Sequence, residues 1–264
     1  MSKIIDLTLK IKEGDVVNHP NHPRAPILWK SQRHDITHLY VKDFWTKENM
    51  PLFDGLPEEA GEGGKGHGWA SEQVIIGTHM GTHIDAPLHF ENDPEQDIAS
   101  IRLEQVFGDA LLLDLREVCA SGKHAIKVEE LNDAESKTGD KVKPGDIVIL
   151  HTGHIAKYAL GSNSEISKYA TLYSGLDHDA ARWFIEKQVK LVCIDGPNVD
   201  CHDIICSAHV NFLLRKRINK EPILIVENLA NLEKIPVSRF TLFAFPLPIV
   251  GGSGSPIRAV AIIP

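Results

Sequence analysis

The 264-residue chain is poor in what would place it in a membrane, on nucleic acid or in a disulfide-stapled fold. No apolar run approaches the ~20 residues that a membrane-crossing helix needs. The net charge is −8 and the sole basic cluster, Arg215-Lys216-Arg217, is short and reads as a solvated helix end, so nucleic acid is not the expected partner. There are only four cysteines, Cys119, Cys193, Cys201 and Cys206, and no second tight pair that would complete a structural zinc site. Cys201, Cys206 and His209 are the nearest approach to one; reduced, partly buried thiols and no disulfide are expected instead. A Gly-x-Ser-x-Gly elbow is missing, which removes support for a serine hydrolase. Gly61-Glu62-Gly63-Gly64-Lys65-Gly66 formally fits G-x-G-x-x-G, but no strand enters it and no helix leaves it, so it fails as a dinucleotide site and reads as part of a loop over 57–68, a candidate lid. The first residues, Met1-Ser2-Lys3-Ile4-Ile5-Asp6, read as the start of a strand rather than a signal peptide, and the expected compartment is the cytoplasm.

What the chain has is a dense run of ligand-type side chains, His79-Met80-Gly81-Thr82-His83-Ile84-Asp85-Ala86-Pro87-Leu88-His89-Phe90. Imidazole and carboxylate at this density suit a divalent metal. Val74-Ile75-Ile76 leads in as an apolar run, and Gly81 and Pro87 oppose a helix. Extended chain is therefore expected, and because side chains alternate along it, His79, His83, Asp85 and His89 share one parity and can face one way. At Gly81, of the same parity, a metal or substrate could approach the backbone.

Near-continuous apolar runs predict strands at 3–9, 74–79, 110–115, 146–150, 190–194, 223–227, 241–247 and 257–263, several of them covered on both faces. Between them the clearest helix is 177–188, where Asp177 caps the start and Ala180, Ala181, Phe184 and Ile185 recur at helical spacing; 128–136 and 203–217 are further helices. Strands interleaved with helices indicate an α/β fold. A chain of this length fits one or two domains of roughly 150 residues, and ligands near both ends favour one, spanning 1–264.

The motif His-x-Gly-Thr-His-x-Asp-x-Pro-x-His-Phe resembles the signature of the cyclase-type metal-dependent hydrolases, the family of bacterial kynurenine formamidase and isatin hydrolase. Further blocks follow in family order: Ile5-Asp6-Leu7-Thr8, Gly145-Asp146-Ile147-Val148, Ile194-Asp195-Gly196-Pro197-Asn198-Val199-Asp200, Ile225-Val226-Glu227-Asn228-Leu229 and Gly254-Ser255-Pro256-Ile257-Arg258-Ala259. The resemblance implies a swivelling β/β/α-type fold and a homo-oligomer, dimer or tetramer. It implies metal ligation by His79, His83 and Asp85, completed by Glu227 and by His209, with His202 as the competitor for the last position. It assigns His89 to proton transfer. The divalent metal is zinc or manganese, one or two ions, and the acid at Glu227 sides with the dinuclear pattern.

The expected reaction is hydrolysis of a small amide or cyclic amide by metal-activated water with His89 as general acid and base; a lactone is the ester variant. A non-catalytic metal-containing binding or regulatory protein is the alternative of a different class. The aromatic and histidine-rich segment with His19, His22, His34, His38 and Trp45 offers Trp29 and Phe44 as candidate substrate contacts. His151 and His154, at a strand end, are candidates to border the site, and amides of Gly251-Gly252-Ser253-Gly254-Ser255 are candidates to hold an oxyanion.

Overall fold

The computed structural model describes residues 2–13, 26–33, 37, 69–159, 166–202, 207–218 and 220–264. Two compact units emerge, a larger one formed by Met1–Ile11, Val16–Arg24 and Gly77–Pro264, and a smaller one formed by Lys12–Asp15 and Ala25–Ile76.

The elements run in chain order β1 (Lys3–Asp6), β2 (Ile27–Gln32), β3 (Ser71–Ile75), β4 (His83–Asp85), β5 (Phe107–Asp114), β6 (Ala125–Ile126), α1 (Val128–Thr138) and β7 (Ile147–His151). They continue with α2 (His154–Tyr158), α3 (Ile166–Tyr169), β8 (Gly175–Leu176), α4 (His178–Glu186), β9 (Leu191–Ile194), α5 (Ser207–Leu213), β10 (Leu224–Glu227), β11 (Arg239–Phe243), β12 (Gly254–Pro256) and β13 (Val260–Ile263). In the smaller unit β2 and β3 form an antiparallel ribbon. In the larger unit nine strands make one sheet in the order β1-β13-β11-β5-β7-β9-β10-β4-β12. Its centre, β5-β7-β9-β10, is parallel, and its flanks are antiparallel.

Alternation along the central strands divides the core in two. Val148, Leu150, Val192, Ile194 and Ile225 face one cluster with Phe184 of α4 and Phe212 of α5. Ile147, Ile149, Leu191, Cys193, Leu224 and Val226 face the other, with Ile84 and Leu242. Strands covered on both faces need apolar residues at every position, and the first four residues of β7, all of β9 and the first three residues of β10 supply them. At about 1.5–3 kcal/mol per fully buried large aliphatic or aromatic side chain, this double burial is the main favourable contribution to folding. The α/β expectation holds. Asp177 caps α4, its carboxylate accepting from Ala180 N at 2.7 Å, and the predicted helix at 128–136 is α1. Of the predicted helix at 203–217, residues 203–206 lie outside the described residues; the rest is α5 followed by a 3-10 turn, Leu214–Ile218.

Three expectations are corrected. The strand expected at 74–79 ends at Ile75, and His79 lies on a turn. Gly81 then takes a left-handed conformation, φ +63°, so the run is extended only at His83–Asp85, and Pro87–His89 is a 3-10 turn. The strand expected at 257–263 begins only at Val260, as β13; Ile257 makes an isolated bridge to Pro246, and a separate short edge strand, β12, precedes it at Gly254–Pro256. Among the described residues no helix is long and apolar enough to cross a membrane.

Candidate metal centre

Three residues of β4 begin the site. Ile84 turns into the core cluster with Val226, so alternation turns His83 and Asp85 to the opposite face, where α4 and α5 lie. Strand β10 pairs antiparallel with β4, setting Glu227 opposite His83 and Ile225 opposite Asp85. Directly opposed residues share a face, and Glu227 thereby joins His83 and Asp85. Helix α5 packs on β10 and brings in His209 from above.

His83 Nδ1 donates to Gly81 O at 2.9 Å. Its Nε2 is then 3.4 Å from Asp85 Oδ1 and 3.5 Å from Glu227 Oε2. His209 repeats the pattern: Nδ1 is 2.6 Å from Asp200 Oδ2, and Nε2 is 3.4 Å from Asp85 Oδ2 and 3.6 Å from Glu227 Oε1. His79 lies against Asp85 Oδ1 through Nδ1 at 2.6 Å and against Ser253 Oγ through Nε2 at 2.8 Å. Glu227 Oε1 also accepts from Val199 N at 2.9 Å.

The donor set fits a divalent ion. Two ligand atoms each about 2.1 Å from a tetrahedral ion lie about 3.4 Å apart, which is the spacing of His83 Nε2 and His209 Nε2 from the oxygens of Asp85. Asp85 Oδ2 is buried without a hydrogen-bond partner; such an orphan is rare and costly unless something else completes it. Ligand atoms of His79, His83 and Asp85 lie within 4.8 Å of one another, as do those of Asp85, His89 and His209.

The electrostatics describe a cluster sharing too few protons. Burial pushes Glu227 up to about 7, aided by the negative charge of Asp85 and opposed by His209 and His83. Burial also acts against charge on Asp85 and His209. It is outweighed at Asp85 by the charge of His79, its hydrogen bond and the close approach of the His209 and His83 imidazoles, which hold its carboxyl well below the usual range. At His209 the bonds to Asp200 and Asp85 and the charge of Glu227 overcome burial and raise the imidazole well above its usual value. His79, His83, Asp85, His209 and Glu227 are the groups that would hold a divalent cation, whose charge would substitute for the protons they otherwise contend for.

His89 stands apart. Its ring stacks on His79 with centroids 4.0 Å apart, and it packs edge-on against Phe90 at 4.9 Å. Burial, offset in part by the charge of Asp85, lowers its pKa to about 4, so the imidazole is neutral at physiological pH.

His202 is exposed, its ring near Tyr173, while His209 is the histidine beside Asp85 and Glu227. Trp29 lies on β2 of the smaller unit, 61% exposed. Phe44, the loop at 57–68, Cys206 and His19, His22, His34, His38 and Trp45 lie outside the described residues. Cys201 is buried. His154 binds Tyr169 O at 2.9 Å, and His151 lines a separate cavity of about 630 Å³ with Asp114 and Arg116. Of the amides considered for an oxyanion, Gly251 N and Gly252 N are engaged by Asp97 Oδ2 and Ile249 O.

Sequence reading gave no role to Asp200, and offered Ser253 and Gly254 only through their backbone amides. Asp200 is buried; it holds His209 Nδ1 and accepts from Ala208 N. At Gly254 a Cβ would lie 2.6 Å from His79 Cε1, so the side chain is missing where the imidazole passes. The signal for Asp200 was a carboxylate nine residues before a candidate ligand histidine; Gly254 carried none.

The profile of a family described as putative cyclase matches residues 5–201. The chain is 29% identical over 263 residues to "Cyclase-like protein 3" of Oryza sativa subsp. japonica, covering 92% of this chain and 88% of that protein. It is 27% identical over 189 residues to the kynurenine formamidase of Bacillus mycoides, covering 71% of this chain and 78% of that enzyme. Among solved structures, isatin hydrolase A from Ralstonia solanacearum superposes with a TM-score of 0.72 at 20% identity, over 100% of this chain and 92% of that one, which is a likeness of fold.

Proposed function

The chain belongs to the cyclase family, and from that premise we propose that it is a metal-dependent hydrolase of a small amide or cyclic amide, acting on a C–N bond other than a peptide bond. The observation that carries the reading is the unpartnered, buried Oδ2 of Asp85, set among the imidazoles of His79, His83 and His209 and faced by Glu227. These five residues would hold the ion, zinc or manganese, and the acid at 227 favours two ions over one. The relatedness to a kynurenine formamidase supports an amide as substrate.

When bound, a divalent ion supplies Lewis acidity, which lowers the pKa of water and polarises a carbonyl oxygen. The protein's own groups do the rest. Asp200 holds His209 through Nδ1, leaving Nε2 for the site. Gly81 O does the same for His83. His89, neutral and beside His79, is placed to take a proton from the attacking water and return it to the leaving nitrogen or, in a lactone, oxygen. Trp29 and Phe44 are proposed to contact the substrate. The exposed apolar residues Ile27, Trp29, Val74 and Ile75 support a homo-oligomer, dimer or tetramer.

The test is elemental analysis of the purified protein joined to a substrate panel of N-formylkynurenine, isatin, other lactams and lactones. Stoichiometric zinc or manganese and metal-dependent turnover of a panel member are expected. No bound metal, and no activity on any member after metal is added, refute the proposal.

A further inference from the structure

Gly81 O receives two hydrogen bonds, one from His83 Nδ1 at 2.9 Å and one from Asn228 Nδ2 at 3.0 Å. Asn228 is fully buried and follows Glu227 directly in the chain. Its side-chain oxygen accepts from Tyr169 Oη, the fully enclosed phenol at the end of α3, at 2.5 Å. Its main-chain oxygen accepts from Thr82 Oγ1 at 2.6 Å. The residue thus binds both residues preceding His83 and does so from the end of the strand that carries Glu227.

The directions of these bonds are forced by chemistry. A protonated phenol brought against an amide donates to its oxygen, and burial, with the charge of Glu227, pushes the Tyr169 hydroxyl well above its ordinary pKa. The amide oxygen of Asn228 therefore faces Tyr169, and its NH2 must face Gly81 O. That carbonyl, already receiving Asn228 and offering no proton, can only accept from His83, so the His83 proton sits on Nδ1. Nε2 is then the nitrogen left facing Asp85 and Glu227, the one available to a metal ion. Both Gly81 and Asn228 take left-handed backbone conformations, φ +63° and +61°, a cost of about 1–2 kcal/mol where the residue is not glycine. Asparagine is among the side chains that tolerate it best.

We propose that Tyr169 and Asn228 are positioning residues that fix the ring nitrogen through which His83 meets a metal ion, acting in sequence through Gly81 O. The inference rests on the metal-site reading above and adds two residues that touch neither metal nor substrate. Outer hydrogen-bond partners of metal-binding histidines commonly account for 10–100-fold in affinity, and each link here is buried, where an unsatisfied polar group is most costly.

The experiment is zinc affinity by chelator competition for the wild-type protein, Tyr169→Phe and Asn228→Asp, together with ¹⁵N-imidazole spectra of the zinc-loaded forms. Tyr169→Phe keeps the ring and removes the donor, freeing the amide to turn. Asn228→Asp keeps the shape and places an acceptor against Gly81 O. Zinc binding weakened 10–100-fold in both, with the His83 Nδ1–H signal shifted or lost while folding is retained, supports the relay. Affinities within twofold of wild type overturn it. If neither variant folds, the wild-type spectrum decides: ligation by Nε2 with a bonded proton on Nδ1 is expected, and ligation by Nδ1 overturns the relay. A wild-type protein that takes up no divalent metal refutes instead the functional reading on which the relay rests, an outcome distinct from tight zinc binding that ignores both substitutions.

Discussion

Replacing Gly254 by alanine tests whether His79 is held where the site needs it. The added Cβ would stand 2.6 Å from His79 Cε1, 3.0 Å from His79 Nδ1 and 2.8 Å from Ile84 O. Neither neighbour yields easily. Ile84 O belongs to β4, which is paired on both sides by β10 and β12, and the imidazole is pinned by Asp85 and Ser253. Overpacking of this kind costs about 1–3 kcal/mol. If the ring moves instead, His79 leaves its place beside Asp85, and zinc affinity should fall about 10–100-fold, the range for losing the support of a metal-binding histidine. Gly251→Ala is the control: there φ is +74° and nothing lies within 4 Å of the new Cβ, so a backbone cost of about 1–2 kcal/mol should lower the melting temperature and leave zinc affinity alone. Thermal melts of the metal-free proteins and chelator-competition titrations separate the two. Zinc affinity of Gly254→Ala within threefold of wild type, or equal behaviour of the two alanine variants, would show that the missing side chain at 254 does not serve His79.

Three other outcomes are expected. His89→Ala should retain bound metal and lose about 10²–10⁴ in kcat, the range for a general acid or base; steady-state kinetics with metal quantified in the same samples checks it, and full activity excludes the proton-transfer role. Glu227→Gln should lower the zinc content measured by elemental analysis, and an unchanged count removes Glu227 from the ligand set. Glu135 sets an acid-side limit on folding: burial opposes its charge, but hydrogen bonds from Val142 N, Lys141 and Lys187 hold its pKa below the ordinary 4.5. A carboxylate depressed in this way stabilises the fold fully above pH 4.5 and progressively less as pH falls through its folded value. Glu135→Gln should therefore flatten the loss of stability below pH 4.5 in urea titrations, and an unchanged slope would contradict the assignment.

The ligand run was legible because its chemistry is local: histidines and an aspartate at 79, 83, 85 and 89 announce themselves whatever the backbone does. The strands at the centre of the sheet were legible for the same reason, as apolar runs such as Ile147-Val148-Ile149-Leu150 have no other stable use. The path between them was not. Parity along an extended chain predicted one shared face, whereas the left-handed Gly81 and the 3-10 turn at Pro87–His89 break the extension on both sides of β4. The side chains converge because β10 and β12 flank β4 in register, and register is a long-range property with no signature inside the motif. The room left at Gly254 escaped notice on the same ground, since it is defined by a contact with His79, far away in sequence; Asp200 lies only nine residues from His209, but the turn that brings the two together has no signature in the residues between them.

The placement of β4 between β10 and β12 also sets a timetable. The carbonyl of Gly81 and the amide of Asn228 that closes on it are 147 residues apart in the chain, and β5, β7 and β9 are made in between. Contacts of such separation carry a large loop-closure cost and form late unless intervening structure has drawn the ends together. On a growing chain, a nascent protein ending before Leu224 would carry His79, His83 and Asp85 with no strand for β4 to lean on. Metal should therefore enter a finished sheet rather than nucleate it, and a refolding reaction should recover native secondary structure before it recovers the ability to retain zinc.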